Sequence, residues 1–237
     1  MKKIVCSTYE DVCSFAADIF ATQLKEKPET VFGLATGSTP VGLYDELVRR
    51  YEAKEIDFSK ARSFNLDEYY PIDPGHPQSY AYFMHKHLFD KINISNFQIP
   101  NGEAGDPIAE CIRYDSEIDK AGGIDLMLLG VGLNGHIGFN EPAVSYSFGT
   151  HFITLTESSM AANSRFFGDG EQQPTTALSM GIGHIFKSKK ILLLITGAAK
   201  ADIARKFFEG VIHTDIPACL LHLHSNVTVV VDKSVNG

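Results

Sequence analysis

Apolar residues along this chain fall into two recurring patterns: short unbroken aliphatic runs, and longer stretches whose apolar positions lie three or four residues apart. The first suits strands buried on both faces of a parallel sheet, and the second suits amphipathic helices that cover it. Ile4 to Ser7 reads as a strand, followed by Val12, Phe15, Ile19 and Leu24 at helical spacing. Val31 to Ala35 is a second strand, ending at Thr36-Gly37-Ser38-Thr39 before a helix through Leu43, Leu47 and Val48 whose first residue is Pro40. A third strand, Ala61 to Leu66, delivers Asp67, Glu68 and Tyr69 at its end, and Tyr80 to Phe89 reads as helix. Asp106-Pro107 supplies an N-cap and a first-turn proline for a helix that stops at Gly122-Gly123. The buried run Ile124 to Leu129 comes next, then a glycine-rich segment to Pro142 and a polar, glycine-containing region from Glu157 to Thr176. A strand Lys190 to Thr196, a helix Ala199 to Glu209 and a strand Asn226 to Val231 complete the alternation. The expected fold is a single α/β domain, a Rossmann-like, doubly wound, mostly parallel sheet with helices on both faces.

Composition narrows the classes of partner. At 237 residues and 44% hydrophobic, the chain can bury one sizeable core and does not require a second. A net charge of -8 argues against a general nucleic-acid or anionic-membrane surface, so a site for an anion must be built locally. The first ten residues lack the apolar core of a signal peptide, and no run approaches the roughly 20 apolar residues of a membrane span, so a cytoplasmic protein is expected. Cys6, Cys13, Cys111 and Cys219 are dispersed and read as reduced structural thiols. His85 and His87 point to different faces of a helix, while His222 and His224 alternate on an extended segment; neither pair supplies three convincing ligands, and no metal is expected.

The segment Leu128 to Pro142 carries the strongest chemical signal. An apolar run stops in glycines and then presents Asn134, His136 and Glu141, at the carboxyl end of a strand where open α/β sheets place their ligands. Imidazole titrates near neutrality, and an amide and a carboxylate beside it would fix its tautomer for proton transfer. Gly130-Val131-Gly132-Leu133-Asn134-Gly135 also matches a dinucleotide fingerprint, but Gly138 and Pro142 break the helix such a loop must open. Thr36 to Thr39, between a strand and a helix, offers amides, hydroxyls and a glycine to a phosphate; an ordinary threonine cap remains the alternative. It lacks the Gly-Lys-Ser/Thr of a nucleotide P-loop, which favours a small phosphorylated metabolite. Of Asp67 and Glu68, one should be catalytic, against the alternative of a solvated turn pair. Arg165 and Lys200 could close on a phosphate or be solvated cations.

Taken together, Gly33 to Pro40, Phe64-Asn65-Leu66-Asp67-Glu68-Tyr69, Gly130 to Pro142, Asn163-Ser164-Arg165-Phe166-Phe167 and Leu221 to Ser225 resemble the glucosamine-6-phosphate deaminase family. The resemblance covers nearly the whole chain in order. It implies conversion of glucosamine 6-phosphate and water to fructose 6-phosphate and ammonia, with no cofactor. It further implies that Thr36, Gly37, Ser38, Thr39, Gly130, Arg165 and Lys200 bind the substrate, chiefly its phosphate, and that Asp67, Asn134, His136 and Glu141 surround the sugar. Many family members carry aspartate where this chain has Asn134; the asparagine carbonyl is expected to orient the imidazole without adding charge. Phe139-Asn140-Glu141-Pro142 favours a deaminase over the related 6-phosphogluconolactonases, and the acid-base set disfavours a non-catalytic sugar-phosphate sensor. Hexameric members bind an activating N-acetylglucosamine 6-phosphate through a serine, an arginine and a lysine. Val144, His151 and Ile153 correspond here, which implies a monomer, or at most a weak dimer, without that activation.

Overall fold

A computed structural model describes residues 1–156, 160 and 173–236. Seven strands form one fully parallel sheet: β1 (Lys2–Cys6), β2 (Val31–Leu34), β3 (Arg62–Asn65), β5 (Asn96–Gln98), β6 (Leu126–Gly130), β9 (Lys190–Ile195) and β10 (Val227–Asp232). Their order across the sheet is β1-β10-β9-β6-β2-β3-β5. Among the described residues the α-helices include α1 (Tyr9–Glu26), α2 (Val41–Glu52), α3 (Tyr80–His87), α4 (Pro107–Lys120), α5 (Ile182–Lys187) and α6 (Ala201–Phe208). No helix among the described residues is long and apolar enough to cross a membrane.

The aliphatic runs become central strands because both of their faces are covered: Leu126 to Leu129, Ile191 to Ile195 and Val229 to Val231 are all buried. Helices pack on them through the stripes visible in sequence. Val12, Ala16, Phe20 and Leu24 are buried on α1, and Phe20 stacks on Phe32 of β2 with ring centroids 4.8 Å apart. Thr8 caps α1 through a capping box with Asp11, and Asp106 caps α4 by accepting from the amides of Ile108 and Ala109.

Strand order reverses between β2 and β6. From β2 the chain winds outward to β3 and β5, then returns to the other side of β2 as β6 and continues to β9 and β10. The loops after β2 and β6 therefore face each other at the switch point, where ligands bind in this architecture. These are the Thr36 to Thr39 loop and the glycine-histidine loop.

The structure adds the edge strand β5 and the short helix α5 to the expected pattern and changes it at three further points. Asp67 does not end the third strand: Leu66 is a pivot, and Asp67 opens β4 (Asp67–Tyr70) of a second, antiparallel sheet with β8 (Thr176–Ser179) and β7 (His151–Thr154), ordered β4-β8-β7. The Leu66 amide still bonds Leu34 O of β2, while its carbonyl accepts from Met180 beyond β8, so one residue joins the two sheets. Pro40 is the N-cap of α2 and lies outside the helix, which begins at Val41. His222 and His224 are not on an extended segment: Pro217–Leu223 is a 3-10 helix, and the two imidazoles bond the carbonyls of Phe207 and Ser188.

Candidate active site

The loop after β2 is shaped from both ends. Tyr44 of α2, fully buried, donates its hydroxyl to the Ala35 carbonyl, and Gly37 adopts φ +93°, a conformation open to glycine at little steric cost. Gly37 and Ser38 are exposed and Thr36 and Thr39 half-buried, so the loop lies open to solvent at the N-terminus of α2. It abuts the end of β6, since a side-chain carbon at Gly130 would lie 3.9 Å from Thr39 Cβ. Lys200 stands on the same carboxyl edge of the sheet, in the 3-10 turn that follows β9 and leads into α6. Arg165 lies outside the described residues.

The glycine-histidine loop folds back on itself. Gly132 N–H donates to His136 O at 2.9 Å and Gly135 N–H to Gly132 O at 3.0 Å, so no helix follows and the dinucleotide pattern is a coincidence of spacing. The spacing instead makes room for a ring: a Cβ at Gly132 would fall 2.2 Å from Cε1 of His136. His136 Nδ1 is 3.2 Å from Glu141 Oε1, at ion-pair distance but without the alignment of a straight hydrogen bond. The other carboxylate oxygen accepts from the Asn134 amide at 2.6 Å. The Asn134 carbonyl does not orient the imidazole; it accepts the backbone N–H of His136 at 3.2 Å. Its place in the loop accounts for this, because a side-chain oxygen readily accepts the amide two residues on. Asn134 thus holds the carboxylate and the loop, and Glu141 alone of the two faces the ring.

Asp67 meets this loop from the second sheet. A Cβ on Gly138 would lie 3.3 Å from Asp67 Oδ2 and 3.4 Å from Ser179 Oγ, so the backbone two residues beyond His136 runs against the carboxylate. Ser179, paired in register with Asp67, accepts the Phe139 N–H at 3.1 Å, and Asn140 donates to the carbonyls of Ile137 and Met180 at 2.9 Å. Rings of Tyr69, Tyr80 and Phe139, with centroids 4.9 to 6.0 Å apart, pack β4, α3 and the loop together. Among the described residues no donor bonds the Asp67 carboxylate; burial, with the nearby Glu68 charge adding, raises it from 3.8 to about 8.

Glu68 has a different task. It accepts the amides of Tyr69, Tyr80 and Ala81 at 2.8 to 2.9 Å and so occupies the N-terminus of α3. Burial pushes it up to about 7 even so. Of the two acids, Asp67 is the one whose carboxylate has no bonded donor among the described residues, beside the histidine loop. Gly132 and Asn140 lie inside the glycine-rich segment that the sequence singles out, whereas Ser179 carries no signal in the sequence. Among the described residues no three histidines, cysteines or acids gather as a metal site.

Fold and site together define a Rossmann-like α/β protein with acid-base groups converging at its switch point. The chain belongs to the family of glucosamine-6-phosphate isomerases and 6-phosphogluconolactonases, whose model matches residues 7–230. A glucosamine-6-phosphate deaminase of a Thermoanaerobacter species is 52% identical over 235 residues, covering 98% of this chain and 93% of the relative. One from Clostridium botulinum is 50% identical, covering 98% and 96%. A solved monomeric glucosamine-6-phosphate deaminase superposes with a TM-score of 0.96 at 46% identity, covering 100% of this chain and 99% of that one. The 6-phosphogluconolactonase of Thermotoga maritima, at TM-score 0.75 and 20% identity, shares the fold alone. Within the family, the sequence stands with the deaminases.

Proposed function

We propose that this protein converts glucosamine 6-phosphate and water to fructose 6-phosphate and ammonia. One juxtaposition carries the chemical part of the reading: a buried carboxylate, Asp67, with no bonded donor among the described residues, against the loop that presents His136. The closed sugar has no acidic hydrogen at C2, so the ring must open first. His136, faced by Glu141, moves the proton from O1 to O5 in that step. Asp67, ionised, then takes the C2 proton, while O1 gains the proton released by the substrate ammonium. The product is a planar enolamine, and the same carboxyl returns its proton to C1 to give a ketose imine. Water hydrolyses the imine, releasing ammonia. A single carboxylate can serve C2 and C1 because both lie on one face of a cis enol, as the glutamate of triosephosphate isomerase serves two carbons.

Thr36 to Thr39, Gly130, Arg165 and Lys200 bind the substrate at its phosphate end, and that binding energy orients the reacting carbons. The protein acts as a cytoplasmic monomer on this small molecule, with neither nucleic acid nor membrane as partner. Equimolar fructose 6-phosphate and ammonia from glucosamine 6-phosphate, with no hydrolysis of 6-phosphogluconolactone, is the expected outcome of a coupled assay. Lactone hydrolysis without ammonia release would overturn the reading.

A further inference from the structure

The phosphate loop is tied down by a residue outside it. The capping box at Thr8 and Asp11 starts α1 and sets Tyr9 as its first residue, and α1 packs against α2. There the Tyr9 hydroxyl donates to the Thr39 carbonyl and accepts the Gly42 N–H, both at 2.9 Å, with the Ser38 carbonyl a longer second acceptor at 3.4 Å. One oxygen thereby bridges the end of the loop to the first turn of α2. Room for it comes from Gly42, where a Cβ would lie 2.8 Å from Tyr9 Cε1 and 3.0 Å from its hydroxyl. Burial pushes the phenol up to about 12, so it keeps its proton and both bonds through the neutral range.

Holding a carbonyl fixes the peptide plane to which it belongs. At the mouth of an anion site this has a second effect, because the negative end of the Thr39 carbonyl is engaged by a donor. The tether also takes the Gly42 amide for itself and leaves the exposed loop residues to face the anion.

We propose that Tyr9 is a positioning residue for phosphate recognition, its hydroxyl clamping Thr39 to Gly42 in an anion-binding shape without acting on the chemistry at C1 and C2. This rests on the reading of Thr36 to Thr39 as the phosphate cradle. Tyr9→Phe keeps the ring and removes both bonds. The KM for glucosamine 6-phosphate and the inhibition constant of inorganic phosphate should rise together by about 5- to 20-fold, as loss of two neutral hydrogen bonds predicts. The kcat should change by less than about 2-fold, and turnover of unphosphorylated glucosamine should hold.

Gly42→Ala presses on the Tyr9 ring and, at 2.8 Å, on Cys13 Sγ, so it should reproduce the pattern and add little to Tyr9→Phe in KM and phosphate inhibition, with any loss of stability shared with Cys13. If Tyr9→Phe does not fold, the same constants measured on Gly42→Ala decide the matter. Unchanged constants in the variants, with phosphate still competing in the unsubstituted protein, would overturn the role of Tyr9 alone. Equal losses of kcat on both substrates would also overturn it, marking a merely structural residue. Phosphate that fails to compete in the unsubstituted protein would overturn the cradle reading and this inference with it.

Discussion

The imidazole of His136 occupies the volume that a side chain at position 132 would need: a Cβ on Gly132 would stand 2.2 Å from its Cε1 and 2.4 Å from each ring nitrogen. Contacts that short force movement, and the loop's internal bonds hold the backbone, so the ring must yield. Gly132→Ala should therefore swing His136 away from Glu141 and lower kcat by at least ~100-fold, the lower end of what a positioned acid-base group contributes. The Tm should fall by no more than a few degrees, because the ring has solvent on its open side. Near-normal kcat in a folded variant would exclude His136 from proton transfer.

Asp67→Asn should keep phosphate inhibition and lose proton exchange at C2, with turnover reduced by at least ~100-fold. It should also stabilise the protein. A carboxyl raised from 3.8 to about 8 by folding costs nothing below pH ~4, costs more with each pH unit up to about 8, and costs a constant amount above that. The gain from asparagine should follow that window and reach on the order of 1–3 kcal/mol at pH 8, read as the difference in Tm between pH 4 and pH 8. A Tm difference that does not grow with pH would contradict a raised Asp67.

The same raised carboxyl sets the pH dependence of the reaction. Only ionised Asp67 can accept the C2 proton, so kcat/KM should climb tenfold per pH unit below about 8 and level off above it. The profile of kcat, which reads the substrate complex, should carry its acid limb lower, since the substrate ammonium brought beside the carboxylate favours its ionised form. A kcat/KM already flat between pH 6 and 8 would mean that Asp67 is ionised in the free protein.

Arg165→Ala should raise the KM for glucosamine 6-phosphate far more than it alters kcat, with a much smaller effect on unphosphorylated glucosamine. A charge-assisted bond to phosphate is strong and remote from C1 and C2, so its loss weakens ground and transition states alike. Equal losses on both substrates would move Arg165 away from the phosphate.

Sedimentation should give a single species at the mass of one chain, and rate curves should be hyperbolic with or without N-acetylglucosamine 6-phosphate. Val144, almost fully exposed, has no group to donate to a phosphate, and burial lowers the pKa of His151, which disfavours the cation an anion would need. A stable hexamer, or a sigmoidal curve made hyperbolic by that effector, would refute this.

By itself the sequence determined six of the seven parallel strands, the longer helices and the two loops at the switch point; the three-residue edge strand β5 is too short to leave a pattern. Those features are written in short-range patterns: unbroken aliphatic runs at 126 to 129 and 191 to 195, a capping box at Thr8, and glycines where strands end. The small antiparallel sheet was not legible, because β4, β7 and β8 are short and carry no unbroken aliphatic run. Their pairing joins Asp67 to Ser179, far apart in the chain, and long-range pairing leaves no periodicity to read. Tertiary structure also decided between two adjacent acids. Glu68 is consumed by the amides that open α3, whereas Asp67 is buried without a bonded donor among the described residues, and a carboxylate becomes a poised base only where its surroundings withhold both water and partners. Asn134 and Tyr9 follow the same logic: their residue types say that they can hydrogen-bond, and only the fold brings Glu141 to one and Thr39 to the other.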